Sequence, residues 1–250
     1  MTYRSIGKIL QGVGGRYTIA LSGSADCPTP LDGQTVFCRA RGSFRHDGII
    51  PLPGDDVVVT YDDTALHTDT QGTCAAPDGS GIRIDTILPR RNALIRPPMA
   101  NLDVLFVTLA VASPTPLLPV VDKLLSIAEF HAIEPVLIVG KSDLDADRAD
   151  ELATLYRNAG FTVFTVSCER NEGIDAVSNY INTHLSGKIA AFSGASGVGK
   201  STLLNHLFPT LSQLTGEVSA KNLRGRNTTR EVTLFPLPAE NGGGYIGKTI

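Results

Sequence analysis

The sequence of 250 residues contains little cysteine, and its cysteines form no pattern typical of a metal site. The four cysteines are Cys27, Cys38, Cys74 and Cys168, and no two of them make a C-x-x-C pair. No cysteine–histidine cluster has zinc-finger spacing, so the sequence predicts no zinc ligands in this chain. Four thiols are also too few for a disulfide framework at this length, which favours single thiols in a reducing compartment.

Long apolar runs and an excess of positive charge are missing as well. The amino terminus, "MTYRSIGKIL", lacks the apolar core of a signal peptide. The most apolar stretch, residues 102–121, is interrupted by Asp103 and three prolines, so it does not predict a membrane span. The net charge of −3 excludes a basic coat over the whole surface but is compatible with local basic patches. We therefore expect a soluble, cytoplasmic protein without a membrane partner.

Residues 1–92 have the pattern of a small all-β domain. Runs of β type occur in "GKILQGVGGRYTIAL", "GQTVFCRARGSF", "PLPGDDVVVTYDD" and "GSGIRIDTILP", and Gly, Pro and Asp clusters separate them. About five short strands without a helical period favour a barrel of the oligonucleotide-binding type. An SH3-like barrel or a sandwich fits this pattern nearly as well. The segment that follows, "RRNALIRPPMAN", suits a linker between domains.

Residues 93–250 predict an α/β domain. Apolar runs typical of buried strands occur in "LDVLFVTLAV", "EPVLIVGKSD", "FTVFTVSC" and "KIAAFSG". Segments with helical spacing lie between these runs, and in the first of them Val120, Leu124, Ile127 and Ala128 fall on one side. Because strands and helices alternate, the sheet is expected to be mainly parallel.

A phosphate-binding loop occupies residues 194–201, where "GASGVGKS" matches G-x-x-x-x-G-K-[ST] in full. Glycines let backbone N–H groups surround a phosphate, and the following helix adds the positive end of its dipole. Lys200 is predicted to reach the β- and γ-phosphates, and the Ser201 hydroxyl to bind Mg²⁺. The predicted nucleotide-binding residues here are Gly194, Ala195, Ser196, Gly197, Val198, Gly199, Lys200, Ser201 and Thr202.

A second loop, "GKSD" at residues 140–143, bears on the choice between ATP and GTP. In an N-K-x-D loop the aspartate accepts two hydrogen bonds from guanine, and adenine would leave that carboxylate unpaired. This role is predicted for Asp143, with the stem of Lys141 over the base. Gly140 replaces the usual Asn, which normally ties this loop to the phosphate loop. Taken alone, K-x-D also fits a charged turn that caps the next helix.

A third loop follows the next predicted strand, where GTPases place a short Ser-Ala loop that contacts guanine O6. The predicted base-binding residues of the two loops are Gly140, Lys141, Ser142, Asp143, Ser167 and Cys168. In this sequence the base loop precedes the phosphate loop, whereas most GTP-binding proteins have the reverse order. A circularly permuted GTPase domain would preserve the site, because all these loops lie at the carboxyl ends of strands.

Together these segments resemble one family, the ribosome small-subunit-dependent GTPases known as RsgA or YjeQ. The matching segments are "CRARGSFR", "PLPGDDVVV", "ILPRRNALIRPPMANLD", "VGKSDL", "FSGASGVGKSTLLNHL", "TGEVSAKNLRGRNTTREVTLFPLP" and "GGGYI". The resemblance implies an oligonucleotide-binding barrel, a circularly permuted P-loop GTPase domain, GTP or GDP with Mg²⁺, and a role in late assembly of the small ribosomal subunit. The implied partners are that subunit and its rRNA, and we expect a monomer.

The resemblance also implies a first switch in "RGRNTTRE". Thr229 is expected to close over the γ-phosphate and complete the Mg²⁺ shell, with Thr228 as the alternative. Asn227 stands where the family usually has a His linked with the attacking water, and an amide can bind that water without taking its proton. The predicted catalytic residues are Lys200, Thr229 and Asn227, and the predicted metal ligands are Ser201 and Thr229.

The end of the sequence differs from the family pattern. After "GGGYI" the family continues with D-T-P-G, the second switch, and with a zinc-binding domain, whereas this sequence reads "GKTI". We expect both features to be missing, and nucleotide binding with impaired hydrolysis. Two other hypotheses are an rRNA-binding module with little or no hydrolysis and an ATP-dependent P-loop kinase or ATPase.

Basic residues in the predicted barrel suggest contact with RNA. Arg39, Arg41, Arg45 and His46 cluster around Phe44. Arginines suit rRNA phosphates and an aromatic ring can stack on a base, although a solvated basic strand face is the alternative. A second basic stretch lies in the predicted first switch and consists of Lys221, Arg224, Arg226 and Arg230.

Overall fold

The computed structural model describes residues 2–22, 34–42, 44, 48–62, 81–209, 232–237 and 243–249. The chain divides into two compact units, residues 1–101 with 230–234 and 248–250, and residues 102–229 with 235–247. Several predictions concern residues outside the described ranges. These residues are Cys27, Arg45, His46, Cys74, Lys221, Arg224, Arg226, Asn227, Thr228, Thr229 and Arg230.

The first unit contains a closed barrel with the strand order β1-β2-β3-β5-β4. Its strands are β1 (Thr2–Val13), β2 (Arg16–Leu21), β3 (Thr35–Ala40), β4 (Asp56–Asp62) and β5 (Ile82–Ile87). Side chains alternate between the two faces of each strand, and the inward ones form an apolar core that includes Ile9, Ile19, Val59 and Tyr61. The predicted small barrel is therefore confirmed, and the sandwich alternative is wrong.

The segment predicted to be a linker contains a short hairpin. Its strands, β6 (Ala93–Ile95) and β7 (Pro98–Ala100), pair in antiparallel fashion. The buried side chain of Asn101 donates from Nδ2 to the carbonyl oxygen of Gly54 at 3.0 Å, and its Oδ1 accepts from the backbone N–H of Arg91 at 2.8 Å. The bond to Gly54 attaches the segment to the loop before β4, and the segment belongs to the first unit.

A buried ion pair strengthens the same region. The carboxylate of Asp55 is fully buried, and the guanidinium of Arg90 donates to both of its oxygens at 2.6 and 2.7 Å. Oδ2 of Asp55 also accepts from the backbone N–H of Leu52 at 2.7 Å, and Arg90 donates a further bond to the carbonyl of Ile50. Because its oxygens are well supplied with donors, this charge can be buried at low cost.

A six-stranded sheet, most of whose residues belong to the second unit, has the strand order β10-β9-β8-β11-β13-β12. Its strands are β8 (Val104–Ala110), β9 (Glu134–Gly140), β10 (Thr162–Val166), β11 (Ile189–Ser193), β12 (Val232–Pro236) and β13 (Tyr245–Thr249). The pairs from β10 to β13 are parallel, and every residue of β8 is buried, as expected for a strand covered on both faces. The predicted α/β domain is confirmed.

Among the described residues of this unit, the strands are accompanied by the helices α1 (Leu118–Phe130), α2 (Ala146–Asn158), α3 (Ile174–His184) and α4 (Lys200–Leu207). The buried residues of α1 are Val121, Leu125 and Ala128, whereas Val120 is 50% exposed. The predicted apolar side of α1 is therefore partly wrong. Packing against β8 and β9 buries a set of residues that is shifted by about one position from the predicted set. In the part of the chain that the structure describes, no helix has the length and apolar character to cross a membrane.

Candidate functional site

The three loops predicted to bind nucleotide lie at one edge of the second unit's sheet. The phosphate loop follows β11, the base loop follows β9, and the loop of Ser167 and Cys168 follows β10. Since parallel strands end at the same edge, these loops surround a common cavity of about 340 Å³. The predicted residues that line it are Gly140, Lys141, Asp143, Cys168, Val198, Gly199 and Thr202.

The other predicted binding residues lie next to this cavity in the chain. Ser142 is in a short 3₁₀ turn, and Ser167 contacts Asp143 from the neighbouring loop. The remaining ones belong to the phosphate loop and the start of α4, and are Gly194, Ala195, Ser196, Gly197, Lys200 and Ser201. The structure therefore groups the described candidates around one place, although they come from distant parts of the sequence.

The phosphate loop depends on a glycine at its first position. Gly194 has a φ of +143°, and a Cβ on it would overlap the carbonyl oxygen of Thr108 on the adjacent β8. Only glycine allows the loop to leave the sheet so close to that strand. Nζ of Lys200 donates to the carbonyl oxygens of Gly194 and Ala195 at 2.9 and 2.6 Å, so the lysine folds back across the loop.

The start of α4 offers donors and a hydroxyl to an anionic ligand. The helix begins at Lys200, and its first N–H groups lack partners within the helix. Ser201 is exposed in this first turn. A serine hydroxyl fits Mg²⁺, which prefers oxygen ligands and is completed by phosphate oxygens and water. Among the described residues, no cluster of three or more His, Cys, Asp or Glu side chains is placed to hold a metal.

The base loop carries an oriented carboxylate. The hydroxyl of Ser167, which is fully buried, donates to Oδ1 of Asp143 at 2.6 Å. The hydroxyl oxygen accepts in turn from the backbone N–H of Arg170 at 3.1 Å. The bond from Ser167 and, to a smaller extent, the charges of Arg170 and Lys141 hold the pKa of Asp143 below its usual value. Asp143 is therefore an ionised acceptor at neutral pH.

Cys168 is half-buried and lines the same cavity. Burial, and next to it the negative charge of Asp143, raise the pKa of its thiol. The side chain is consequently a neutral thiol at neutral pH, and its contribution to a polar ligand would come mainly from its backbone N–H.

The cavity is also lined by residues that the sequence analysis did not predict to bind nucleotide. They are Thr108, Ile138, Leu144, Val166, Glu169 and Leu203. Leu144 and Glu169 directly follow predicted residues, so proximity in sequence could have found them. Thr108 carries no motif, and only its pairing opposite Ile138 in the sheet brings it here. Its buried Oγ1 has no hydrogen-bond partner among the described residues.

The barrel has a second candidate site of a different chemical kind. A cavity of about 670 Å³ at its surface is lined by several basic and aromatic side chains. These are Arg16, Tyr17, Arg39, Arg41 and Phe44. Three of the predicted RNA-contacting residues therefore lie together here. Arg41 is partly neutralised, because it pairs with the carboxylate of Asp85.

An arginine row, defined as Arg16, Arg39 and Arg83, crosses β2, β3 and β5 at this surface. Arg16 is directly opposite Arg39, and Arg39 is directly opposite Arg83. All three are exposed, and none has an ion-pair partner among the described residues. Phe37, two positions from Arg39 on the same face, is 47% exposed. Like charges opposite each other destabilise a sheet, so this arrangement favours a polyanionic partner.

Comparisons with known proteins match both parts of the chain. A family model described as RsgA GTPase matches residues 87–249, and one described as RsgA N-terminal domain matches residues 6–66. The small ribosomal subunit biogenesis GTPase RsgA of Carboxydothermus hydrogenoformans is 38% identical over 87% of this chain and 68% of its own length. That of Caldanaerobacter subterraneus is 36% identical over 96% of this chain and 71% of its own.

Solved structures give the same result for the fold. YjeQ from Thermotoga maritima has a TM-score of 0.67 at 26% identity, covering 98% of this chain and 74% of that protein. YloQ, described as a circularly permuted GTPase, has a TM-score of 0.61 at 28% identity, covering 98% of this chain and 70% of its own. The resemblance inferred from the motifs and the permuted order of the loops are both confirmed.

Proposed function

Because this chain belongs to the RsgA GTPase family, we propose that it binds GTP and hydrolyses it to GDP and phosphate in biogenesis of the small ribosomal subunit. One observation carries this proposal: Asp143 of the base loop and Gly199 of the phosphate loop line a single cavity. A purine nucleotide has its base and its phosphates at opposite ends, so a binding site needs both loops in one place.

Asp143 supplies the choice of base. Its ionised carboxylate accepts from the N1–H and the exocyclic amine of guanine, and Ser167 holds it in position. An adenine in this place would leave the carboxylate unpaired. Cys168 and Lys141 line the cavity. The backbone N–H of Cys168 would donate to guanine O6, and the stem of Lys141 would cover one face of the base.

The phosphate loop and the start of α4 hold the phosphates. When nucleotide binds, the ammonium of Lys200 exchanges the carbonyls of Gly194 and Ala195 for phosphate oxygens. Ser201 would hold Mg²⁺, which neutralises negative charge on the phosphates when bound. The roles of three switch residues stay predictions from the sequence. Thr229 is predicted to be the switch residue and second metal ligand, with Thr228 as its alternative, and Asn227 is predicted to lie next to the attacking water.

The barrel supplies the contact with ribosomal RNA. The arginine row binds phosphates, and the exposed ring of Phe37 stacks on an unpaired base. The stacking role expected for Phe44 is wrong, because its side chain is buried in the barrel core. A protein that acts on ribosomal subunits during their assembly works in the cytoplasm, which agrees with the location expected from the sequence. The monomeric state stays a prediction.

The test is a titration of GDP, GTP, ATP and xanthosine diphosphate against the wild-type chain and the Asp143→Asn variant. We expect the wild type to prefer guanine over adenine nucleotides, and the variant to bind GDP at least about 100-fold more weakly. The variant should gain affinity for xanthosine diphosphate, because an amide can donate to the carbonyl that replaces the guanine amine.

Asp145→Asn is the matched control. Asp145 lies two residues away and caps α2, a role that Asn fills equally well. An Asp143→Asn variant that keeps its guanine preference would refute the assignment, as would equal affinity of the wild type for ATP and GTP. GTP turnover measured with and without small ribosomal subunits then separates an enzyme from an RNA-binding module.

A further inference from the structure

A turn after β8 lies beside both nucleotide loops of the second unit. Lys141 of the base loop donates from Nζ to the backbone carbonyl oxygen of Ser113. Cδ of Pro114, the next residue, lies 3.7 Å from the position that a Cβ on Gly197 of the phosphate loop would occupy. The Ser113–Pro114 turn therefore contacts the base loop and lies beside the phosphate loop, yet it contains none of the motifs in the sequence.

The junction between the two loops has little room for a side chain. Gly140 lies at the end of β9, and a Cβ on it would be 3.3 Å from the carbonyl oxygen of Leu109 and 3.4 Å from that of Val198. Both distances are at the short limit of van der Waals contact, so the backbones of β8, the base loop and the phosphate loop pack directly against each other here. Gly140 itself has no polar side chain with which to fix the base loop.

We propose that the Ser113–Pro114 turn positions the base loop against the phosphate loop, with the Ser113 carbonyl oxygen as the positioning group for Lys141. This proposal rests on the nucleotide site proposed above and deepens it. A hydrogen bond from an ammonium group is stronger than one between neutral groups, so a single carbonyl can hold the lysine stem in place. The ring of Pro114 fixes the backbone of the turn next to Gly197 of the phosphate loop.

The direction of the Ser113 carbonyl depends on an unusual backbone conformation. Ser113 has a φ of +49°, and Lys141 has a φ of +57°. Glycine adopts this left-handed region readily, whereas a β-branched residue at such a φ is a strong outlier. The sequence therefore allows two substitutions at one position with opposite effects. Ser113→Gly permits the carbonyl direction, and Ser113→Val opposes it.

The experiment measures the affinity and the dissociation rate of a fluorescent GDP analogue on the full chain. Ser113→Gly should bind within about twofold of the wild type, because the conformation is retained. Ser113→Val and Lys141→Met should each weaken binding about tenfold, mainly through faster dissociation. Thr115→Val, an exposed position in the same turn, is the control and should bind like the wild type.

The double variant Ser113→Val/Lys141→Met distinguishes positioning from a general effect on folding. If both changes remove the same bond, the double variant should bind the GDP analogue no more weakly than the single variant with the lower affinity. Wild-type affinity in Ser113→Val, or additive losses in the double variant, would overturn the proposal. The Asp143→Asn variant tests the nucleotide site independently. If Asp143→Asn loses its preference for guanine while Ser113→Val binds GDP as tightly as the wild type, only the role of the turn is refuted.

Discussion

The hydroxyl of Ser167 donates a 2.6 Å hydrogen bond to Oδ1 of Asp143, which is 24 residues away in the sequence. The bond fixes the carboxylate of the base loop from a neighbouring loop. A group that is already oriented loses less entropy when its ligand binds, so Ser167 contributes to affinity without touching the base.

Removal of this bond should change the pH dependence of GDP binding. The bond stabilises the ionised form of Asp143 and lowers its pKa, so guanine binding is retained until the pH falls through that lowered value. In Ser167→Ala the pKa should rise, and GDP affinity should be lost at a higher pH than in the wild type. The measurement is the dissociation constant of GDP from neutral to acidic pH.

Ser142→Ala is the control for this prediction, because Ser142 lies in the same loop and makes no such bond to Asp143. The loss of GDP affinity at acidic pH should follow the same curve in Ser142→Ala as in the wild type. Identical curves for Ser167→Ala and the wild type would contradict the positioning role of Ser167.

Nucleotide should protect Cys168 from alkylation. The thiol lines the cavity and is half-buried, and burial raises its pKa, so its reaction should be slow at neutral pH and accelerate in alkaline buffer. Saturating GDP should slow the reaction by at least about tenfold, because the reagent then reaches only nucleotide-free protein. Mass spectrometry of a variant with Cys27 and Cys74 replaced by serine measures the rate.

Cys38 is the internal reference in that experiment. It is buried in the barrel core, and burial raises its pKa to about 12. Cys38 should therefore stay unlabelled in the folded chain with or without GDP. If Cys168 were alkylated at the same rate with and without GDP, the nucleotide would have to bind elsewhere.

The ion pair of Arg90 and Asp55 should contribute strongly to the stability of the barrel. Arg90→Ala leaves a fully buried carboxylate without its partner, and we expect a loss of about 3 kcal/mol in the free energy of unfolding. The free energy of unfolding of Arg90→Lys should lie between those of the wild type and Arg90→Ala, because an ammonium cannot form the paired bonds of a guanidinium. Urea unfolding of the full chain, followed by circular dichroism, measures the effect.

Arg4→Ala is the control, because Arg4 is largely exposed and lies 3.8 Å from Asp85. An exposed pair of this kind contributes less than about 1 kcal/mol. If the two alanine variants were equally stable, the buried pair would have no special role in the barrel.

The arginine row should govern the salt dependence of RNA binding. Arg39→Ala and Arg83→Ala should each weaken binding to a single-stranded oligonucleotide and reduce the slope of log K against log salt concentration by about 0.7. Arg148→Ala, on α2 of the other unit and paired with Glu151, should leave the slope unchanged. Slopes that do not differ between the three variants would remove the arginine row from the RNA interface.

Local patterns were sufficient for many elements of this fold, whereas β6, β7, β12 and β13 were not predicted. The five barrel strands follow from short alternating runs between turn residues, and the phosphate loop follows from a motif whose conformation is set by its own glycines. Helical spacing was less reliable for α1. Val120 fits the apolar side of the helix in sequence but is 50% exposed, because contact with the sheet decides which stripe is buried.

The sequence by itself determined the element types, the permuted order of the loops and the residues of the motifs, because each of these depends on neighbours along the chain. Only the tertiary structure decided that Ser167 meets Asp143, that Ser113 meets Lys141, and that three arginines form a row. Those contacts join residues far apart in the sequence. They depend on strand order and register, which arise when the whole sheet or barrel packs and which no short segment encodes.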